Sequence, residues 1–129
     1  MNISEAAKAS GVTTKMVRYY EEIGLIPPAA RTEAGYRIYT ATDVHRLNFI
    51  RRARDLGFSV REISDLLSLW SDRTRQSADV KRIAEKHIAE LQLKIELLGR
   101  MVETLQTLVS CCAGDERPEC PILAGLEAS

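Results

Sequence analysis

Residues 4–24, SEAAKASGVTTKMVRYYEEIG, carry the signals of two short helices separated by a tight turn. Ser4 and Thr13 are placed to cap the two helices, and Gly11 and Gly24 are placed to end them. Two short helices joined by a glycine-containing turn predict a helix-turn-helix, a motif whose second helix enters the major groove of DNA.

The residues that follow predict a small β-hairpin, or wing. Residues 31–39, RTEAGYRIY, contain two short β-prone pieces on either side of a glycine-containing turn. Because side chains alternate along a strand, Arg37 and Tyr39 are expected on one face of the hairpin, and Tyr36 and Ile38 on the other.

Two further helices are expected after the wing. One begins near Thr42 and ends at Gly57, and the next is opened by the capping-box spacing of Ser59 and Glu62. Residues 71–77 are polar throughout and predict a linker.

The longest predicted helix begins at Ser77 or Ala78 and carries apolar residues at alternating steps of four and three. They are Ala84, Ile88, Leu91, Ile95, Leu98, Val102, Leu105 and Val109. Such a heptad stripe is typical of a coiled coil. A lone helix cannot bury this stripe against itself, and the N-terminal part is too short to cover it. We therefore expect a homodimer.

Charge is distributed unevenly along this 129-residue chain, whose formal net charge is zero. Residues 1–61 hold ten Lys and Arg against six Asp and Glu, whereas residues 62–129 hold eight against twelve. A basic first half predicts a polyanionic partner for that half. The N-terminal residues lack the basic and apolar regions of a signal peptide, and the apolar runs are too short for a bilayer, so we expect a cytoplasmic protein without a membrane partner.

Basic and polar side chains gather on the predicted helix-turn-helix and wing. The candidate DNA-binding residues are Thr14, Lys15, Arg18, Tyr19, Tyr20, Arg31, Tyr36 and Arg37. A recognition helix presents polar and basic side chains to base edges, and arginine and tyrosine side chains contact phosphates. The combination predicts binding to double-stranded DNA.

Three cysteines, Cys111, Cys112 and Cys120, lie within ten residues of one another. An odd number in a chain without a visible signal argues against a disulfide framework and favours metal or redox chemistry. Thiolates select soft ions such as Cu(I), Ag(I), Au(I), Hg(II), Zn(II) and Cd(II). The loop from Cys112 to Cys120 can place two thiolates on opposite sides of one ion, which suits a linear monovalent ion, whereas Zn(II) usually takes four ligands.

Residues 1–70 resemble the MerR family of transcription regulators. The matching stretches are Ile3-Ser4-Glu5-Ala6-Ala7, Val17-Arg18-Tyr19-Tyr20-Glu21, Gly24-Leu25-Ile26, Arg31-x-x-x-Gly35-Tyr36-Arg37-x-Tyr39 and Leu56-Gly57-Phe58-x-x-x-Glu62-Ile63. The resemblance implies a mainly α fold: a winged helix-turn-helix over 1–70, a linker and dimerisation helix over 71–110 forming an antiparallel coiled coil, and a metal-binding loop with a short helix over 111–129. It also implies a dimer that activates transcription by distorting promoter DNA for RNA polymerase.

The tail, in which Cys112-x7-Cys120 is followed by Pro-Ile, is similar to the copper-efflux regulator branch (CueR-like) of that family. In the divalent-metal branches a cysteine begins the long helix and serves as a ligand from the other subunit, and Ser77 stands at that position here. The resemblance therefore implies Cu(I), or Ag(I) or Au(I), as effector on Cys112 and Cys120. The two thiolates and a monovalent cation carry net negative charge, which amides near Ser77 and the ammonium of Lys81 would offset.

Two alternatives remain open at this point. Within the same family, a Zn(II), Cd(II) or Hg(II) sensor would use Cys111 as a third thiolate. In a different class, a coiled-coil copper carrier would need neither a basic recognition helix nor a wing. An enzyme is not expected, because the sequence contains no glycine-rich phosphate loop and no H-E-x-x-H motif.

Overall fold

The computed structural model describes residues 1–111, 114, 118 and 120–127. Its elements are α1 (Ile3–Ser10), α2 (Thr14–Glu22), β1 (Ala30–Arg31), β2 (Arg37–Ile38), α3 (Ala41–Asp55), α4 (Val60–Ser71), α5 (Ser77–Ser110) and α6 (Pro121–Glu127). The predicted mainly α architecture, with a helix-turn-helix, a wing and a long helix, is confirmed. Contacts divide the chain into two units, Met1–Ile83 and Ala84–Ser129.

Helix α1 begins two residues earlier than the sequence predicts, because Asn2 rather than Ser4 caps it. The Asn2 side chain accepts a hydrogen bond from Glu5 N at 2.8 Å, and the Glu5 carboxylate accepts one from Asn2 N at 3.1 Å. This reciprocal pair satisfies two amides at the helix start. The predicted cap of α2 is confirmed, since Thr13 Oγ1 accepts from Met16 N at 3.1 Å.

The next two helices are also opened by capping boxes. Thr40, two residues before the predicted start, caps α3 with Asp43, whereas Ser59 and Glu62 cap α4 as predicted. Gly57 follows α3 with a φ of 85°, a left-handed conformation that glycine adopts without strain.

The core of the first unit lies where α1, α2, α3 and α4 meet. Its largest fully buried apolar side chains come from α2, α3, α4 and the loops beside the wing. They are Tyr20, Tyr39, Ile26, Leu47, Ile50, Ile63 and Val17. Burial of such a side chain contributes about 1.5–3 kcal/mol, so this cluster holds α2 in place on α3 and α4.

The wing is an antiparallel hairpin in which Arg31 pairs with Arg37. Its base is tied to the beginning of the chain, because Tyr39 N donates to Met1 O at 2.7 Å and the Met1 ammonium donates to Tyr39 O at 3.0 Å. The turn at its tip is closed by Gly35, whose N–H donates to Thr32 O at 2.9 Å.

The linker between α4 and α5 is an ordered turn. The Asp72 carboxylate accepts hydrogen bonds from the backbone N–H and the hydroxyl of Thr74, at 2.8 and 2.7 Å. These bonds to Thr74 lower the pKa of Asp72. Arg75 Nη1 donates to the carbonyl oxygens of Trp70 and Asp72, both at 3.2 Å, so the turn closes over the end of α4.

Helix α5 is 34 residues long, which at 1.5 Å per residue is about 50 Å. Its apolar stripe lies largely in solvent: Ile88 is 52% exposed, Ile95 68% and Leu98 58%. The short helix α6 packs against the C-terminal part of α5, where a Cβ added to Gly125 would collide with the Leu108 side chain. Among the helices of the described segments, none is long and apolar enough to cross a membrane.

Candidate nucleic-acid interface and metal-binding tail

Helix α2 presents a basic and polar face opposite the face that it buries. Lys15, Arg18 and Tyr19 are exposed, whereas Val17 is buried in the core and Thr14 is half-buried at the first position of the helix. The helical repeat of 3.6 residues produces this division, because positions 15, 18 and 19 fall on one side. A helix with such a face can enter the major groove.

The structure brings three predicted arginines together. Arg18 of α2 and Arg31 and Arg37 of the wing line one cleft, beside Tyr36. Arg31 Nη1 donates to Gly35 O at 2.8 Å, which holds its side chain along the hairpin, and Tyr36 is 74% exposed. A cleft with three guanidinium groups at its edge has the charge and donor geometry to hold phosphate oxygens.

Tyr20 corrects one prediction about the interface. The sequence places it among the candidate DNA-binding residues, but its side chain is only 1% exposed. Its hydroxyl oxygen accepts a hydrogen bond from Arg54 Nη1, and the guanidinium carbon of Arg54 lies 6.0 Å from the centroid of its ring. Tyr20 therefore belongs to the core of the unit, where it joins α2 to α3.

Glu21, a residue that the sequence reasoning missed as part of the site, connects α2 to the wing. Its Oε1 accepts from the Tyr39 hydroxyl at 2.9 Å and from Ala29 N at 3.4 Å, and its Oε2 lies 3.4 Å from Arg37 Nε. Burial first, and then the hydrogen bond to Glu21, raise the pKa of Tyr39 to about 12. The phenol therefore remains a hydrogen-bond donor throughout the neutral range.

The signal for this contact was present in the sequence. The alternation of strand side chains puts Arg37 and Tyr39 on one face of the wing, and both are hydrogen-bond donors that suit a carboxylate. Glu21 follows Arg18 by three residues on α2, so it lies on the same side of the helix. What the sequence does not give is the placement of the wing on α2.

The candidate metal ligands lie between the ends of α5 and α6. Cys111 follows α5 directly and is exposed, and its N–H donates to Thr107 O at 3.3 Å. Cys120 directly precedes α6 and is half-buried, and its carbonyl oxygen accepts from Ala124 N at 3.0 Å. Cys112, the other predicted ligand, lies outside the described residues.

The two residues predicted to lie beside the metal site belong to the beginning of α5. Ser77 is the first residue of the helix, as predicted, and Lys81 follows one turn later; both side chains are exposed. The N-terminal amides of a helix and a nearby ammonium both favour negative charge. Their contribution to a thiolate site stays a prediction.

The chain matches two family profiles, "MerR HTH family regulatory protein" over residues 1–70 and "MerR, DNA binding" over residues 44–108. It is 60% identical over 123 residues to "Heavy metal-dependent transcription regulator 2" of Rhizobium meliloti (strain 1021), covering 95% of this chain and 84% of the relative. It is 44% identical over 126 residues to "HTH-type transcriptional regulator CueR" of Escherichia coli O157:H7, covering 98% and 93%.

Its fold is similar to the crystal structure of the transcription regulator PbrR691 from Ralstonia metallidurans CH34 in complex with lead(II). The TM-score is 0.86 at 33% identity, and the match covers 98% of both chains. Because a family profile spans more than half of the chain and the relatives match nearly all of it, the chain belongs to the MerR family and is a helix-turn-helix transcription regulator rather than an enzyme.

Proposed function

We propose that this chain is a copper-responsive transcription activator. It binds promoter DNA in the cytoplasm as a homodimer, takes up Cu(I) through Cys112 and Cys120, and then distorts the promoter so that RNA polymerase can engage it. One observation carries the proposal: the same chain has an arginine-lined cleft in its first unit and a cysteine-bearing tail that follows a 34-residue helix. The name of the Rhizobium meliloti relative, "Heavy metal-dependent transcription regulator 2", supports a response to heavy metals.

DNA binding is assigned to residues 1–70. Thr14 and Lys15 at the start of α2 reach base edges, and Arg18, Arg31 and Arg37 hold phosphates around the cleft. Tyr19 and Tyr36 are exposed and complete the set, whereas Tyr20 is left out because it is buried. Phosphate contacts release counterions, so affinity for DNA should fall steeply as the salt concentration rises.

Dimerisation is assigned to residues 71–110. The stripe from Ala84 to Val109 spans about three quarters of the 34 residues of α5, and most of its members are exposed in the single chain. Each Leu, Ile or Val that a partner helix covers contributes about 1.5–3 kcal/mol. An antiparallel pairing of two α5 helices would bury the stripe of both chains.

Metal sensing is assigned to residues 111–129. Two thiolates satisfy a monovalent d¹⁰ ion in linear geometry, and Ag(I) and Au(I) share this preference with Cu(I). A divalent ion needs more donors, and the hydroxyl of Ser77 from the neighbouring subunit is a poor ligand for a soft ion. Lys81 would offset the negative charge of the complex.

A divalent-metal sensor is the second candidate, and the position of Cys111 favours it. Its side chain is exposed at the end of α5, next in the chain to Cys112, so a third thiolate is close at hand. Cys111→Ser distinguishes the copper sensor from the divalent-metal sensor. A linear Cu(I) site does not need the Cys111 thiolate, whereas a three-thiolate site does.

The test is transcription in vitro from the regulated promoter, with apo-protein titrated with Cu(I), Zn(II) or Hg(II). We expect Cu(I) to activate the wild type and Cys111→Ser equally, and Cys112→Ser and Cys120→Ser to bind DNA without activating. X-ray absorption of the Cu(I)-loaded protein should show two sulfur neighbours. Three sulfur neighbours, or loss of activation in Cys111→Ser, would overturn the two-thiolate site in favour of a three-thiolate site. Activation by Zn(II) or Hg(II) and not by Cu(I) would replace the copper proposal with the divalent one.

A further inference from the structure

The Glu21 carboxylate lies between the recognition helix and both arms of the wing. It belongs to α2, and its side chain is only 11% exposed. It accepts from Ala29 N, directly before β1, and from the Tyr39 hydroxyl, directly after β2, while Arg37 Nε of β2 lies 3.4 Å away. One side chain of the helix thus contacts the beginning and the end of the hairpin.

A carboxylate this far out of solvent requires donors that offset its lost hydration. Here two donors, a backbone amide and a phenol, and the charge of a guanidinium 3.4 Å away offset it, and all three groups belong to the wing or its edges. The phenol can serve this purpose at neutral pH, because the pKa of Tyr39 is raised to about 12. The hydrogen bond from Tyr39 to Glu21 is therefore available at the pH at which the protein would bind DNA.

We propose that Glu21 is a positioning residue for DNA binding: it fixes the wing against α2, so that Arg18 on the helix and Arg31 and Arg37 on the hairpin border one cleft. The proposal rests on the DNA interface proposed above. Phosphates along a duplex have fixed spacing, so guanidinium groups on two separate elements can contact them together only if the distance between the elements is held.

A carboxylate at this position could instead compete with DNA phosphate for Arg37, and its removal would then raise the affinity for DNA. An acidic group beside Arg37 that did nothing but compete with phosphate would weaken DNA binding, and its removal would tighten it. A positioning group strengthens binding despite its charge, and its removal loosens the wing. The neutral substitution Glu21→Gln therefore distinguishes the two roles by the direction of the change in affinity.

Glu22 provides a matched control. It is the next residue of α2, it carries the same charge, and it is exposed. Glu22→Gln makes the same change in net charge without touching the contact with the wing. We expect Glu22→Gln to leave DNA affinity unchanged or slightly increased, and Glu21→Gln to reduce it roughly tenfold, which is the worth of one charged hydrogen bond.

The experiment measures the affinity of the full-length protein for the duplex that the wild type selects from a random library, at constant salt. The variants are Glu21→Gln, Glu22→Gln, Tyr39→Phe, Arg37→Ala and the double variant Glu21→Gln/Arg37→Ala. Tyr39→Phe, which removes one donor to Glu21, should weaken binding less than Glu21→Gln does. The double variant should lose less affinity than the product of the single losses, because both changes disable the same contact.

Two results are decisive and separate. If Arg37→Ala leaves affinity unchanged, the proposed DNA interface is wrong. If Arg37→Ala weakens binding but Glu21→Gln tightens it as Glu22→Gln does, the interface stands and the positioning role is overturned. Chemical denaturation of each variant shows whether it is folded. If Glu21→Gln unfolds, wild-type affinity in Tyr39→Phe would overturn the proposal, and weaker binding would support it.

Discussion

The two units of this chain differ in how far their large apolar side chains are buried. In Met1–Ile83, large residues such as Leu47, Ile50 and Ile63 are fully buried, whereas in α5 the comparable residues Ile95 and Leu98 are more than half exposed. The first unit folds several short helices around a core of its own. The second unit has one long helix with the short α6 near its end, and we propose that a second copy of the chain buries the rest of the stripe.

This difference separates two uses of hydrophobic residues in one small regulator. In the first unit they fix the positions of α2 and the wing, whose polar faces remain available for DNA. In α5 they form the surface that we expect to be a subunit interface. The stability of the first unit should therefore be independent of protein concentration, and the state of α5 should depend on it.

The largest expected effect is the loss of the dimer in Leu98→Glu. Two leucines leave the interface, which removes about 3–6 kcal/mol of apolar burial at about 1.5–3 kcal/mol each and places two like charges close together. We expect monomers in sedimentation velocity at micromolar concentration. The matched control is Leu93→Glu, the same substitution on the opposite face of α5 at a residue that is 66% exposed. A dimer that survives Leu98→Glu would show that this stripe is not the interface.

An isoleucine-to-alanine substitution should destabilise the fold in the first unit but weaken the dimer in α5. Ile63→Ala leaves a cavity in the core and should lower the free energy of unfolding of the first unit by about 2–5 kcal/mol. Ile95→Ala should instead raise the dimer dissociation constant. Trp70, the single tryptophan, stacks on Phe49 with ring centroids 5.7 Å apart, so its fluorescence during denaturation follows the first unit.

Sedimentation equilibrium follows the dimer in the same two variants. If Ile63→Ala changed the dissociation constant as much as Ile95→Ala does, the two units could not be treated as separate structural elements.

A smaller effect is expected where α6 meets α5. Gly125→Ala would bring a methyl group into the Leu108 side chain, so α6 or the leucine must shift. Because Cys120 directly precedes α6, we expect a several-fold loss of metal affinity, measured by competition with a Cu(I) chelator. Leu108→Ala makes room for the methyl group and should restore affinity in the double variant. Without that rescue, the loss would have another cause.

The smallest effect concerns the beginning of α1. Asn2→Ala removes a helix cap and should lower the free energy of unfolding by about 0.5–2 kcal/mol. Ser4→Ala should change it little or raise it slightly, since alanine has the higher helix propensity. Urea denaturation followed by Trp70 fluorescence compares the two. A larger loss of unfolding free energy in Ser4→Ala than in Asn2→Ala would indicate that Ser4 caps α1, as the sequence predicts, and would contradict the structure.

Much of the fold could be predicted because its helices are marked by local signals. Thr13, Ser59 and the stripe of α5 identify their helices correctly. The caps of α1 and α3 lie two residues before Ser4 and Thr42, although the sequence shows that Asn2 stands three residues before Glu5 and Thr40 three before Asp43. In both, a second cap-forming residue just downstream competes for the same role, and backbone geometry decides between them.

The candidate interface was less predictable, because it depends on tertiary contacts. Helical spacing places Tyr20 with Val17 rather than with Tyr19, but its full burial and its hydrogen bond from Arg54 of α3 depend on how the helices pack. Glu21 looks like an ordinary surface charge until the wing is placed against it. For the proposed metal site, local patterns indicate candidate ligands but not their geometry, and Cys112 lies outside the described residues.

The docking of α6 on α5 has a consequence for the entropy of metal capture. Ser110 ends one helix and Pro121 begins the other, so both ends of the ten-residue segment between them are attached to ordered elements. In a free tail, an ion would have to gather two distant thiolates and oppose the loop-closure entropy, which grows as about (3/2)RT ln n with the number of residues n. Here α6 already lies against Leu108 of α5, so at the proposed metal site less of the ion's binding energy would be spent on closing the loop.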